Sequence, residues 1–311
     1  MQKVLVTGAS GFIGRQVIAS LAGTQADLVA FGRGNPPTDF PKNVQWKKVD
    51  LLKIGQEELL AVCGEVRAKL LVHLAWETKH GSFWDSPDNL QWVRASQELA
   101  RAFVAAGGTR ITATGTCVEY DYPEHGPCSE ASTPIHPKHL YGVTKNVFRC
   151  SLKELQETSQ CSYGWARVFI PFGPHEKRGR LVPSVINALL CGRKAECTAG
   201  LQLRDFMDVR DCGAAIAALA MSRTSGEVNI GSGCKLQLAE FVSRIGELMG
   251  LPELVRLGAL PMRSDDPSNL WPDVSRLQDE VGFASRYGLD EAIQNAITWW
   301  ESQHANREIV N

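Results

Sequence analysis

Tyr141 and Lys145 stand four residues apart in the run His139-Leu140-Tyr141-Gly142-Val143-Thr144-Lys145, so on a helix they share one face. A tyrosine hydroxyl, with a pKa near ~10, does little acid–base work at neutral pH. A neighbouring ammonium stabilises the phenolate and lowers that value toward the working range, and its other donors suit a ribose. Thr116, in Thr114-Gly115-Thr116-Cys117, adds a hydroxyl able to hydrogen-bond a substrate oxygen and share developing charge. The three residue types make a proton-transfer site. Taken alone, the Tyr–Lys pair also fits a solvated helix surface.

A second constellation lies at the start of the chain. Val4-Leu5-Val6-Thr7 reads as a strand, and Gly8, Gly11 and Gly14 follow it at GxxGxxG spacing as Phe12 and Ile13 open an amphipathic pattern. Gly8 allows a sharp turn off the strand, and Gly11 lets backbone approach a pyrophosphate. Gly14 lets the helix sit close to the sheet. The helix N-terminus then presents unpaired N–H groups to the phosphates, which makes dinucleotide binding the expectation over an ordinary glycine-rich turn. After the next strand, Leu28 to Phe31, comes Gly32-Arg33-Gly34. An acid there would hold the ribose hydroxyls of NAD, whereas an Arg suits a 2′-phosphate. Arg33 therefore points to NADP(H), with NAD(H) and a surface Arg as the alternatives.

The elements that must position these groups alternate regularly. A strand near 44–49 ends in Asp50-Leu51, a polar helix passes through Leu59-Leu60, and Leu70 to Ala75 forms a strand in which His73 reads as a packed histidine. A helix from about Asn89 to Ala106 stops at Gly107-Gly108, and a strand around Ile111 delivers Thr116 to the same sheet end before the helix of Tyr141. This pattern predicts an α/β fold, a Rossmann-type doubly wound parallel sheet with ligands at the carboxyl ends of its strands. The expected divisions are residues 1–168, completed by about 209–231, for the dinucleotide, and 169–208 with 232–311 for a smaller substrate lobe.

Composition bounds the function. The 311 residues are 44% hydrophobic with a net charge of -1, which offers no electrostatic footprint for nucleic acid or an anionic membrane. No apolar run approaches a membrane span and the first residues enter a strand at once, so a cytoplasmic location is expected. Nine cysteines without CxxC pairs indicate neither a disulfide framework nor a metal site.

Thr7 to Gly14, Asp50-Leu51, His73-Leu74-Ala75, Thr116 with Tyr120, and Tyr141 to Lys145 together resemble the extended short-chain dehydrogenase/reductase family. More narrowly, the chain is similar to its sugar-nucleotide epimerase, dehydratase and ketoreductase branch. Arg167 to Pro174, Arg204-Asp205-Phe206-Met207-Asp208-Val209 and Gly226 to Gly231 extend the likeness over essentially the whole chain. The resemblance implies Thr116, Tyr141 and Lys145 as the catalytic triad. It implies cofactor contacts at Gly8, Gly11, Phe12, Ile13, Gly14, Arg33, Asp50, Leu51, Leu74 and Ala75, as well as Tyr141 and Lys145. A nucleoside diphosphate sugar would lie in the second lobe, with Arg204 near its phosphates, Leu181 and Val182 lining the pocket, and Arg263 as a further phosphate ligand or a solvated charge. A homodimer packed through the helices near 89–106 and 141–157 is also implied.

Departures from the family pattern narrow the reaction. Dehydratases of this branch follow the catalytic Thr with an Asp-Glu pair, whereas Thr116 is followed by Cys117-Val118. Elimination is therefore disfavoured. Cys117 is either an extra proton donor facing the sugar or a buried structural thiol. His136 and His139 could reach the site or cap the helix, and Ile170 stands where many relatives carry Asn. Arg33 and the missing acid pair favour reduction of a 4-keto (deoxy)sugar nucleotide, with Tyr141 as proton donor. An NAD-dependent 4-epimerase is the alternative, and a catalytically silent dinucleotide sensor the remaining one.

Overall fold

The computed structural model describes residues 2–77, 81, 83–263 and 265–308. Strands and helices alternate from the start: β1 (Lys3–Thr7), α1 (Phe12–Ala22), β2 (Asp27–Gly32), β3 (Val44–Lys48), α2 (Gln56–Val66), β4 (Leu70–His73), α3 (Asp88–Ala105), β5 (Arg110–Thr116), α4 (Leu140–Thr158) and β6 (Ser162–Val168). The chain continues through β7 (Ile170–Phe172), α5 (Leu181–Leu190), β8 (Ala195–Glu196), β9 (Leu203–Asp208), α6 (Val209–Met221) and β10 (Gly226–Ile230). Last come β11 (Lys235–Gln237), α7 (Leu238–Leu248), β12 (Val255–Arg256), β13 (Asn269–Leu270) and α8 (Leu289–Glu308).

Seven strands form one parallel sheet in the order β10-β6-β5-β4-β1-β2-β3. The strand order reverses between β1 and β4, so their carboxyl ends, Gly8 and Leu74-Ala75, flank the crevice where such sheets take ligands. Alternation within each strand feeds two apolar layers. Leu5, Val29, Leu71 and Ile111 pack under α2, α3 and α4 with Leu59, Phe103 and Phe148. Val4, Val6, Leu28 and Val72 pack under α1 and α6 with Val17, Ile18, Cys212 and Ile216. Burial on both faces is why β1 and β4 read as continuous apolar runs.

The chain leaves this sheet after β6 and returns to it: β10 pairs with β6 and α6 packs on α1. Between and after these returns, β9 pairs with β7, β11 and β13 in a second sheet. That sheet has its own core, which includes Phe172, Ile186, Ile293 and Trp300, and Phe206 lies flat on Phe241 at 3.7 Å between ring centroids.

Strand β4 stops at His73, two residues short of the expected Ala75. The cause is local. Leu74 donates its N–H to the Thr7 carbonyl at 3.2 Å and Ala75 donates to Thr7 Oγ1 at 3.4 Å, which turns the chain off the ladder.

Candidate active site

The nucleotide loop is shaped by glycine at two points. Gly8 has φ +68°, and a Cβ there would stand 2.7 Å from the Ala75 amide nitrogen, so the residue serves both the turn and the closeness of β1 to β4. A Cβ on Gly14 would lie 2.1 Å from the Gly8 carbonyl oxygen. The third glycine thus lets α1 close on the loop itself, whereas the sequence pointed to the sheet. Gly11 is the N-cap of α1 and no side chain caps that helix, which leaves the first-turn N–H groups of Phe12 and Ile13 open. This bare cradle, at the positive end of the helix dipole, fits a pyrophosphate.

At the end of β2, Arg33 is exposed and has no hydrogen bond or ion pair among the described residues. The loop it begins does contain an acid, and sequence reading missed its placement. Asp39 folds back onto α1, where Arg15 donates from one terminal nitrogen to both carboxylate oxygens at 2.7 Å. The signal available was the position of Arg15, directly after Gly14. Beyond β3, Asp50 accepts from the Leu52 N–H at 3.2 Å, while the Leu51 side chain is committed to the core. The side chains of Leu74 and Ala75 pack into opposite layers of the sheet.

Thr116 closes β5, and Tyr141 and Lys145 occupy the first two turns of α4. The helix start is fixed by the segment Phe83-Trp84-Asp85, also missed from sequence. Asp85 accepts from the Leu140 N–H at 3.1 Å, Trp84 accepts through its carbonyl from the Tyr141 N–H at 2.8 Å, and Phe83 meets the Tyr141 ring edge-on at 4.9 Å. Lys145 is buried, donates to the Thr114 carbonyl at 2.8 Å and stands 4.1 Å above the Trp76 ring. Burial lowers its pKa to about 7, against the opposing pull of Glu119. Tyr141 departs from expectation. Burial pushes its phenol up, the charge of Glu119 adds to this, and a hydrogen bond with Thr116 acts the other way without reversing it. The phenol is protonated at neutral pH.

His73 is buried beside this site with Thr7 Oγ1 at 2.7 Å and Ser96 Oγ at 2.8 Å on its two ring nitrogens, and burial lowers its pKa to about 3. It is a packed, neutral histidine. Glu119 is also committed: it accepts from the Thr116 N–H at 2.8 Å, Trp165 Nε1 at 3.0 Å and Arg167 Nε at 3.0 Å. Arg167 donates to the Tyr120 hydroxyl at 2.7 Å, and that hydroxyl donates to Asn229 on β10. The Asn229 amide donates in turn to the carbonyls of Cys128 and Asp273. Cys117 is a buried thiol pushed up to about 12 by burial, with Arg204 opposing, so it remains neutral.

Helix α5 begins at Leu181 with Arg180 as its N-cap and no side-chain cap. The Val182 side chain belongs to the core of the second sheet, so what this turn leaves open is backbone N–H. Arg180 donates to Glu176 at 3.1 Å and its charge reaches Tyr141. Arg204 is buried and paired with Asp266 at 2.5 Å, and its charge is felt by Cys117 and Tyr122. Arg263 stands apart, its side chain 75% exposed and clamped by Asp265. His136 is also exposed, and His139 is half-buried with Asp85 at 3.2 Å.

A glycine loop at a sheet reversal, with a Tyr–Lys helix across from a hydroxyl-ended strand, defines a dinucleotide-dependent enzyme architecture. The chain matches the NAD dependent epimerase/dehydratase family over residues 4–231 and belongs to it. It is 26% identical over 271 residues to a dTDP-6-deoxy-L-talose 4-dehydrogenase (NAD(+)) of Aggregatibacter actinomycetemcomitans, covering 86% of this chain and 98% of that protein. It is 25% identical to UDP-glucose 4-epimerase 2 of Oryza sativa subsp. japonica, covering 96% and 82%. Among solved structures it is similar to MoeE5 in complex with UDP-glucuronic acid and NAD, with a TM-score of 0.81, 29% identity and coverage of 97% and 99%. Among the described residues, no helix is long and apolar enough to cross a membrane.

Proposed function

We propose that the protein is an NADP(H)-dependent oxidoreductase that reduces a 4-keto (deoxy)sugar carried on a nucleoside diphosphate, with Tyr141 as the proton donor. The observation that carries this reading is the state of the Tyr141–Lys145 pair. Burial keeps Tyr141 a phenol, the form needed to protonate an alkoxide forming at the sugar oxygen. Lys145, buried one turn away with a pKa near 7, supports the phenolate left behind and can be re-protonated at neutral pH. Thr116 orients the same sugar oxygen and shares its charge.

The dinucleotide, when bound, supplies the hydride. Gly8, Gly11, Gly14 and the first turn of α1 would hold its pyrophosphate, and Arg33, unpaired among the described residues, suits a 2′-phosphate. Arg204 and the uncapped start of α5 would take the diphosphate of the sugar nucleotide, in a lobe made by 169–208 and 232–311. An elimination needs a second acid–base pair. The residues after Thr116 provide a neutral thiol, a valine, and a glutamate tied to Arg167. The similarity to a sugar-nucleotide 4-dehydrogenase supports redox chemistry at that carbon.

A 4-epimerase is the second reading. It would use the same three residues with retained NAD, and Asp39 in the loop after β2 supports it, because a carboxylate there suits an unphosphorylated ribose. Denaturing freshly purified protein and identifying the released dinucleotide separates the two. Near-stoichiometric NAD favours the epimerase. An empty protein that binds NADPH and oxidises it with a dTDP-4-keto-6-deoxysugar supports the reductase.

A further inference from the structure

The loop after β2 carries one cation, Arg33, and a carboxylate, Asp39, that neutralises a second cation, Arg15 of α1, next to the place where the fold puts the adenosine ribose. Arg33 is exposed and unpartnered among the described residues. The loop around it is held in shape by Trp46. A Cβ on Gly32 would fall 2.1 Å from the Trp46 ring, the indole N–H donates to the Gly34 carbonyl at 2.9 Å, and Phe40 meets the ring edge-on at 5.4 Å. This pins the segment ending at Asp39, which grips Arg15 through both oxygens at 2.7 Å. Arg15 also donates from Nε to the Ser10 carbonyl at 3.3 Å, so its guanidinium lies against the glycine loop.

We propose that Asp39 sets the choice between the two dinucleotides by occupying Arg15. The inference rests on the reading above that this crevice binds NAD(P). A ribose with a free 2′-hydroxyl leaves the Arg15–Asp39 pair undisturbed. A 2′-phosphate brings two negative charges beside the carboxylate. It binds well only when Asp39 swings away and Arg15 joins Arg33 as a phosphate ligand. The Asp39 side chain is 58% exposed, and an ion pair so open to water separates at little cost. The native protein therefore accepts both dinucleotides, and Asp39 blunts its preference for the phosphorylated one.

Dissociation constants for NADPH and NADH, titrated at one fixed ionic strength, test this without reference to turnover. Asp39→Ala should tighten NADPH by about tenfold and leave NADH within about twofold. Asp39→Asn, which keeps the shape of the side chain, should act in the same direction. Adding Arg15→Met to Asp39→Ala should return NADPH to its starting affinity. A ratio of the two constants that does not move in either Asp39 variant overturns the proposal, as does a gain that survives Arg15→Met. If the native chain binds neither dinucleotide, the functional reading falls and this inference falls with it; both bound with an unmoved ratio sinks this inference alone.

Discussion

Arg167 donates to Glu119 at 3.0 Å, and their side chains are 1% and 0% exposed. The pair stands at the end of the strand that carries Thr116, since Glu119 also accepts that residue's N–H. Removing one partner strands a buried charge. Arg167→Met should cost about 3–5 kcal/mol in urea unfolding. The double variant Glu119→Gln with Arg167→Met should recover part of that loss, because no charge is left unpaired and the amide oxygen can still accept from the Thr116 and Trp165 N–H groups. Equal losses in the single and double variants would show that the pair is not what holds this region.

Tyr141→Phe separates an enzyme from a silent binder. Turnover of a 4-keto sugar nucleotide should fall by about 10²–10⁴, the usual worth of a positioned proton donor. The phenyl ring keeps its contact with Phe83, so the chain should fold and the NADPH dissociation constant should stay put. Unchanged turnover would remove Tyr141 from the mechanism.

Glu176 makes stability fall with pH. Its carboxyl is raised from 4.5 to about 7 by burial, with Arg180 acting against the shift, and Oε2 has no hydrogen-bond partner among the described residues. Between those two values the folded chain keeps a proton that the unfolded chain has released. Its contribution is therefore complete below pH 4.5 and is lost as pH rises through 7. Glu176→Gln should stabilise the protein relative to the native chain at pH 8 and much less at pH 5, as read by urea midpoints. A gain of the same size at both would disconnect the effect from ionisation.

The outer surfaces of α3 and α4 leave Leu90, Val143 and Val147 exposed, beside a groove lined by Gln97, Arg101, Ser151 and Leu155. If these helices form the dimer contact, light scattering should give twice the chain mass of 34.1 kDa for the native protein. Leu90→Glu with Val147→Glu should halve it. A native monomer would end the dimer proposal.

The parallel sheet was legible because its signals are local. Alternation, glycine punctuation and helix periodicity each act within about ten residues, and Tyr141 and Lys145 share a helix face by spacing alone. The relationships that define the site's electrostatics are not local. Glu119 and Arg167 are 48 positions apart, Asp39 reaches Arg15 across 24, and Arg204 finds Asp266 across 62. Burial was the other hidden quantity. Lysine at four residues' distance suggested a lowered tyrosine pKa, yet the folded site desolvates both groups, raising one and lowering the other. Val182 shows the same limit: its type suits a pocket wall, and packing spends it on the core.

The pairing of β10 with β6 sets an order of events on the ribosome. Until residues 226–230 have emerged, β6 is the open outer edge of a six-stranded sheet, with Trp165 and Arg167 on it. Asn229 then needs the carbonyls of Cys128 and Asp273 to satisfy its amide, so the edge locks only after Asp273 has been synthesised. A chain stalled before β10 exposes a strand ready to pair with a neighbour's.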